Sequence, residues 1–145
     1  MIEREGVFMG LFDIFKKKNK TEVKLTIEEQ KFNKMWELWV QEKIETPYAE
    51  LMTYQSEVNN GGHDQYFFNI NNIGMLEKEV SGVEKILPPE LKVNFKKAYD
   101  AFLVLEEKED DEKAQEILEE CDDVFWENED KINQLLEEYS KRIEL

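Results

Sequence analysis

Apolar side chains recur at three- and four-residue spacing along most of the chain, which is the period of amphipathic α-helices. The first stripe follows Thr26, and Thr26 with Glu29 has the pattern of a helix-initiating capping box. Further stripes follow Thr46-Pro47, where Thr46 is the expected N-cap, Asn71-Asn72 and Pro89, and two more complete the chain. Runs of alternating β-branched residues, which are typical of strands, are missing. The pattern predicts an all-α fold, a single-domain bundle of about six or seven helices with short connections.

One stretch interrupts this pattern between two long helical segments. It contains Gly61-Gly62, the only histidine, His63, and three consecutive aromatic residues at 66–68. Glycine is favoured where the backbone needs a positive φ, and aromatic side chains favour burial. We therefore expect a helix to stop at Asn59-Asn60, to turn on the two glycines, and to restart as a short aromatic helix that ends near Asn69.

Acidic residues are concentrated late in the chain. The sequence has 34 acidic and 19 basic residues, a net charge of −15, and residues 106–130 contain 14 of the acids and 2 of the bases, a net charge of −12. Such a charge disfavours direct binding to nucleic acid and attracts basic partners. A solvated helix face is the commoner reason for an acidic run, so both interpretations stay open.

The second half of this acidic run has a helical pattern with its carboxylates facing out. Carboxylates four residues apart on a helix are about 6 Å apart along its axis. Phosphates along one nucleic-acid strand are spaced on a similar scale, about 3.4 Å in axial rise. The predicted partner-binding surface consists of Glu109, Asp110, Asp111, Glu112, Glu116, Glu119, Glu120, Asp123 and Glu127.

Residues for catalysis or metal binding do not form a recognisable pattern. His63 and Cys121 lie 58 residues apart without a nucleophile signature, and Gly61-Gly62 is not part of a phosphate-binding loop. The run from Asp110 to Glu112 lacks the spacing of a calcium loop. We interpret His63 as a turn residue and not as a general base next to Asp64. The sequence predicts a non-enzymatic protein with no catalytic residues, no metal and no cofactor.

The N-terminal segment differs from the rest. Residues 1–24 are predicted to be a flexible segment, and residues 25–145 a single acidic helical domain. Residues 8–20 combine a short apolar stretch with four lysines, which is the composition of a weak, reversible membrane contact. Met9 is an alternative start. With one cysteine and no apolar run of about 18 residues, the expected location is the cytoplasm.

The stretch from Asn60 to Asn69 resembles the signature of a bacterial family of small, acidic, all-helical proteins named for a DNA mimic. That signature is Asn-Gly-Gly-aromatic-x-Gln-Tyr/Phe-Phe-x-Asn, and His63 stands where an aromatic is usual. The resemblance covers about residues 28–142. It implies an all-α fold and, from the best-known member, a homodimer whose carboxylates imitate DNA phosphates and occupy a transcriptional regulator. The motif residues, interpreted as fold residues, are Asn60, Gly61, Gly62, His63, Gln65, Tyr66, Phe68 and Asn69.

Three interpretations of function follow. In the first, the chain is an interaction protein whose acidic surface occupies a basic, DNA-binding protein. In the second, the polar and aromatic groups of Asn60–Asn69 line a pocket for a small molecule or a peptide. In the third, the chain is a membrane-tethered adaptor that uses Leu11, Phe12, Ile14, Phe15 and Lys16–Lys18.

Overall fold

The structure, a computed structural model, describes residues 24–145. Within that range the fold is all-α, as predicted, with six helices and no strand. We number the helices α1 (Ile27–Val40), α2 (Tyr48–Asn72), α3 (Leu76–Ile86), α4 (Pro89–Glu107), α5 (Glu112–Glu127) and α6 (Glu129–Ser140). None of these helices is long and apolar enough to cross a membrane.

Three helix starts follow from local chemistry. The capping box of α1 is formed: the Glu29 amide donates to Thr26 Oγ1 at 3.1 Å, and the Thr26 amide donates to Glu29 Oε1 at 3.0 Å. Pro89 occupies the first turn of α4, where a missing N–H has no cost. Asp111 caps α5 by accepting a hydrogen bond from the Ala114 amide at 2.9 Å.

The start of α2 differs from the prediction. The helix begins at Tyr48, and Pro47 occupies the capping position without a side-chain hydrogen bond. The Thr46 hydroxyl, predicted to cap the helix, instead donates to the carboxylate of Glu50 at 2.9 Å. Glu50 lies only four residues after Thr46, in the first turn of α2, so a charged acceptor at the start of the same helix engages the hydroxyl.

The predicted break at the two glycines is confirmed. Gly61 (φ −159°, ψ 17°) and Gly62 (φ 82°, ψ 179°) depart from helical geometry within α2, and the chain is helical on both sides of them. The conformation of Gly62 is essentially restricted to glycine. The second half of α2 continues to Asn72, beyond the end predicted at Asn69.

Helix α2 is the centre of the bundle, and α3, α4, α5 and α6 all pack against it. Its aromatic residues make edge-to-face contacts in the core: the ring centroid of Tyr54 lies 5.1 Å from Tyr66, 5.1 Å from Phe95 and 5.4 Å from Phe125. Phe68 is the exception among the three consecutive aromatics. Its side chain is 58% exposed, so the expectation that the aromatic residues at 66–68 are buried was wrong for Phe68.

Candidate functional site

The outer face of α5 carries a continuous set of carboxylates. Because a helix turns by about 100° per residue, six acidic residues of α5 fall within an arc of about 100°. All six are exposed. We call this surface the acidic ridge; it consists of Glu112, Glu116, Glu119, Glu120, Asp123 and Glu127.

The acidic ridge is long, and little of its charge is neutralised. From Glu112 to Glu127 it extends about 22 Å along the helix axis. Between residues 24 and 145, its one ion pair joins Glu116 to Lys113 at 4.0 Å, and both side chains are about two-thirds exposed or more. A pair of this kind contributes between about 0 and 1 kcal/mol. The ridge therefore presents a strong negative potential to solvent.

The other three acids of the predicted surface lie in the connection between α4 and α5. Glu109 and Asp110 are exposed there and adjoin the N-terminal end of the ridge. Asp111 is half-buried, and its Oδ1 is the cap of α5. Its primary role is therefore to start the helix that carries the ridge.

An aromatic side chain lies beside the ridge. Trp126 is 48% exposed, and the helical period places it next to Glu119 and Asp123. Its indole Nε1 donates to Asn59 Oδ1 at 3.1 Å, which anchors the ring against α2. Partly exposed tryptophans favour contact with arginine and are common at the energetic centres of interfaces. The partner-binding surface predicted from the sequence did not include Trp126.

The inner side of α5 carries a buried polar chain that sequence reasoning missed. Asp122 Oδ1 lies 2.6 Å from His63 Nδ1 and accepts a hydrogen bond from the His63 amide at 2.8 Å. His63 Nε2 lies 2.6 Å from the Tyr54 hydroxyl. A neutral imidazole with its proton on Nδ1 satisfies every member: it donates to Asp122 and accepts from Tyr54.

The hydrogen bonds between Asp122, His63 and Tyr54 connect the two halves of α2 to α5. The side chains of His63 and Tyr54 are completely buried, and the pKa of Tyr54 is raised well above its usual value, chiefly by burial. Gly62 allows the approach, because a Cβ there would lie 2.4 Å from Asp122 Oδ2. With both ring nitrogens of His63 occupied in the core, the arrangement is suited to holding the bundle together.

Two of the three side-chain amides of the signature donate hydrogen bonds to a buried carboxylate. Gln65 Nε2 donates to Glu57 Oε2 at 3.2 Å, and Asn69 Nδ2 donates to the same oxygen at 2.8 Å. Glu57 is 3% exposed. Because these side chains and His63 are held by hydrogen bonds within the protein, their geometry argues against a binding pocket at Asn60–Asn69.

Other groups of possible chemical interest are inaccessible or dispersed. Cys121 is buried, and burial raises the pKa of its thiol to about 11, so the reactive thiolate is disfavoured. Within residues 24–145, no three histidine, cysteine or acidic side chains are grouped so as to hold a metal ion. The predicted membrane contact at residues 8–20 lies outside the described residues.

A family model described as DMP19-like protein matches residues 42–143. The family assigned from the Asn60–Asn69 signature, a family of DNA mimics, was therefore wrong as an identification, since the family that matches is described only as DMP19-like protein. No curated protein and no solved structure matches the chain.

Proposed function

We propose that this chain, which belongs to the DMP19-like protein family, is a non-enzymatic interaction protein whose acidic ridge occupies the nucleic-acid-binding surface of a basic protein. The observation that carries the proposal is the clustering of six exposed carboxylates on one face of α5. Single acidic residues on a surface need no explanation. Within residues 24–145, one weakly paired lysine is the ion-pair partner of these six acids, so the helix face has the charge that a basic groove attracts.

The dimensions of the ridge support the choice of partner. Over about 22 Å the ridge is as long as roughly six phosphates of one DNA strand, at about 3.4 Å per phosphate. Proteins that bind DNA contact phosphates with lysine and arginine side chains arranged along such a length. Carboxylates held on a rigid helix offer those cations equivalent acceptors, and Trp126 adds a ring face for a guanidinium group at one end.

The buried polar groups support a role without catalysis. His63, the one histidine, makes its hydrogen bonds to Asp122 and Tyr54 inside the core, and Cys121 is buried with its thiol pKa raised. A general base or a nucleophile must reach its substrate. His63 and Cys121 are instead buried in the core, where they contribute to the packing of α5. This packing holds the acidic ridge in position.

A displacement experiment tests the proposal. DNA-binding proteins from a lysate of the source cell are retained on a DNA column, and the purified chain is passed over it. We expect the wild type to release a subset of the retained proteins, because the ridge competes with phosphates for their basic surfaces. The test variant reverses four ridge charges: Glu116→Lys, Glu119→Lys, Glu120→Lys and Asp123→Lys.

A matched control separates the ridge from net charge. It reverses four exposed acids on other elements, Glu28→Lys, Asp64→Lys, Glu77→Lys and Glu137→Lys, and so has the same net charge as the test variant. The proposal requires release by the wild type and the control but not by the test variant, at a salt concentration that keeps the proteins on the DNA column when no chain is added. Equal behaviour of the two variants, or no release by the wild type, would contradict it.

A further inference from the structure

A second acidic site lies away from α5, in a cavity of about 230 Å³ between the end of α1, the first turns of α2 and the start of α3. No residue of the acidic ridge lines this cavity. The polar residues that line it are Glu42, Thr46, Glu50, Thr53, Lys78 and Glu79. The cavity therefore has to be explained separately from the proposed ridge function.

Glu50 is the unusual member of this lining. The residue is 2% exposed, yet the one side-chain donor that it has among residues 24–145 is the Thr46 hydroxyl, 2.9 Å from Oε2 and 3.2 Å from Oε1. A hydroxyl has one proton, whereas a carboxylate offers about four acceptor positions. Within residues 24–145 no ion pair involves Glu50. Lys78 lines the same cavity, but within the described residues it forms no ion pair with Glu50. A buried carboxylate without a paired cation is costly, so the site favours a positively charged ligand.

The backbone is built to bring Glu50 to this position. A Cβ on Gly82 of α3 would lie 2.7 Å from Glu50 Cγ, so glycine at this position lets the side chain lie against the helix. Glu79, which is 9% exposed, precedes Gly82 by one turn of α3. Two carboxylates from different helices thus line one cavity.

The walls of the cavity are suited to an alkyl chain. Ile44 and Met75 contribute apolar surface, and the indole of Trp39 is held in place because its Nε1 donates to Thr53 Oγ1 at 3.2 Å. A cation beside an indole ring and a carboxylate gains from both. The volume is smaller than the roughly 300–1,000 Å³ of sites for drug-sized ligands, which favours a single basic side chain or a small amine.

We propose that this cavity binds one alkyl guanidinium or alkyl ammonium group, with Glu50 as its principal acceptor, Glu79 as the second carboxylate and Trp39 against the alkyl chain. The same chemistry is offered by an arginine or lysine side chain of another protein and by a free small amine. Binding here does not depend on the acidic ridge.

The test uses butylguanidinium as the probe and butylurea, its uncharged counterpart of similar shape, as the control ligand. The full chain is titrated while the indole N–H signal of Trp39 is followed by NMR, with that signal identified from a Trp39→Phe variant. We expect a saturable shift with butylguanidinium and none with butylurea. Glu50→Gln should weaken binding by about tenfold or more, since it removes the negative charge that strengthens the hydrogen bonds to the cation.

Glu77→Gln is the matched control, because Glu77 is exposed on the same helix as Glu79 and does not line the cavity. It should bind butylguanidinium as the wild type does. The proposal is overturned if butylurea binds equally well, if Glu50→Gln leaves the affinity unchanged, or if magnesium ions produce the same shift at lower concentration.

A second titration identifies the source of the ligand. N-acetylarginine methylamide presents the guanidinium group between two peptide bonds, as a protein does. Binding as tight as that of butylguanidinium supports the site and assigns it to an arginine of a partner protein. Binding of butylguanidinium but not of the capped arginine supports the site and assigns it to a free amine.

Discussion

Asp122 and Asp123 are neighbours on α5, yet they lie in different environments. The side chain of Asp122 is 19% exposed and accepts hydrogen bonds from the amide and the ring of His63. Asp123 is exposed and belongs to the acidic ridge. The same type of side chain thus has a structural role in Asp122, on one side of the helix, and is available to a partner in Asp123, on the other. The two roles are therefore determined by the burial and hydrogen bonds of each side chain, and not by the acidic composition of residues 106–130.

The two sides of α5 also differ in how a substitution should act. Around Asp122 the groups are close-packed and their hydrogen bonds are made inside the protein, so a change there leaves buried groups unsatisfied. On the ridge the carboxylates are solvated, and like charges three and four residues apart repel each other. Substitutions on the inner side should therefore lower stability, and substitutions on the ridge should alter binding.

The largest effect is expected at the contact between Gly62 and Asp122. Gly62→Ala forces a side chain onto a backbone conformation that costs of the order of 1–3 kcal/mol for other residues, and its Cβ would displace the Asp122 carboxylate. Together with the lost hydrogen bonds to His63, we expect the free energy of unfolding to fall by about 4 kcal/mol. Urea denaturation measures the change.

Gly74 is a matched control for this substitution. It also has a positive φ, of 73°, but a Cβ there would meet no atom within 4 Å. Gly74→Ala should cost only the backbone term, about 1–2 kcal/mol. If the two glycine variants lose equal stability, the contact between Gly62 and Asp122 has no special importance.

A smaller effect is expected when Asp122 and Asp123 are compared directly. Asp122→Asn replaces a charged acceptor of two short hydrogen bonds by a neutral one, and we expect a loss of about 2 kcal/mol in the free energy of unfolding. Asp123→Asn should change it by less than about 0.5 kcal/mol. Urea denaturation measures both changes. If Asp123→Asn lowers the free energy of unfolding as much as Asp122→Asn does, the two sides of α5 do not differ in the way proposed.

The smallest effect on stability is expected on the ridge itself. Replacing Glu116, Glu119, Glu120 and Asp123 by their neutral amides relieves repulsions of about 0.2–0.5 kcal/mol for each pair. The variant should be as stable as the wild type or slightly more so at low salt. At 1 M salt, where charges are screened, the difference should vanish. A variant that is clearly less stable at both salt concentrations would mean that the ridge carboxylates hold the fold.

Local rules predicted much of the fold. The capping box at Thr26 and Glu29, the helix start at Pro89 and the break at Gly61-Gly62 all depend on residues within a few positions of each other, and all three are present. The errors have two origins. Thr46 donates to Glu50, four residues further along, so a competing local hydrogen bond replaces the expected cap of α2. Phe68 is 58% exposed, and which side of a helix faces the core depends on the helices that pack against it.

For the candidate site, the exposed acidic ridge was predicted from the sequence, but the buried contact between Asp122 and His63 was not. The outward positions on α5 follow from helical periodicity, so the members of the acidic ridge could be identified in advance. The hydrogen bonds between Asp122 and His63 span 59 residues, and nothing in the neighbourhood of either residue indicates the other. The available local signal was that Asp122 lies beside Cys121, at the edge of the apolar face of the helix. That position indicates a partly buried carboxylate but does not identify its partner.

The sequence by itself determined the helical fold, the position of the break in α2 and the run of acids on one face of α5. These features depend on periodicity, on caps and on the conformational freedom of glycine, which act over one or two turns. Only the tertiary structure decided that Asp122 is joined to His63 and that Glu50 lies buried against Gly82 beside a cavity. Those environments depend on which helices pack together, because burial and hydrogen bonding are set by neighbours distant along the chain.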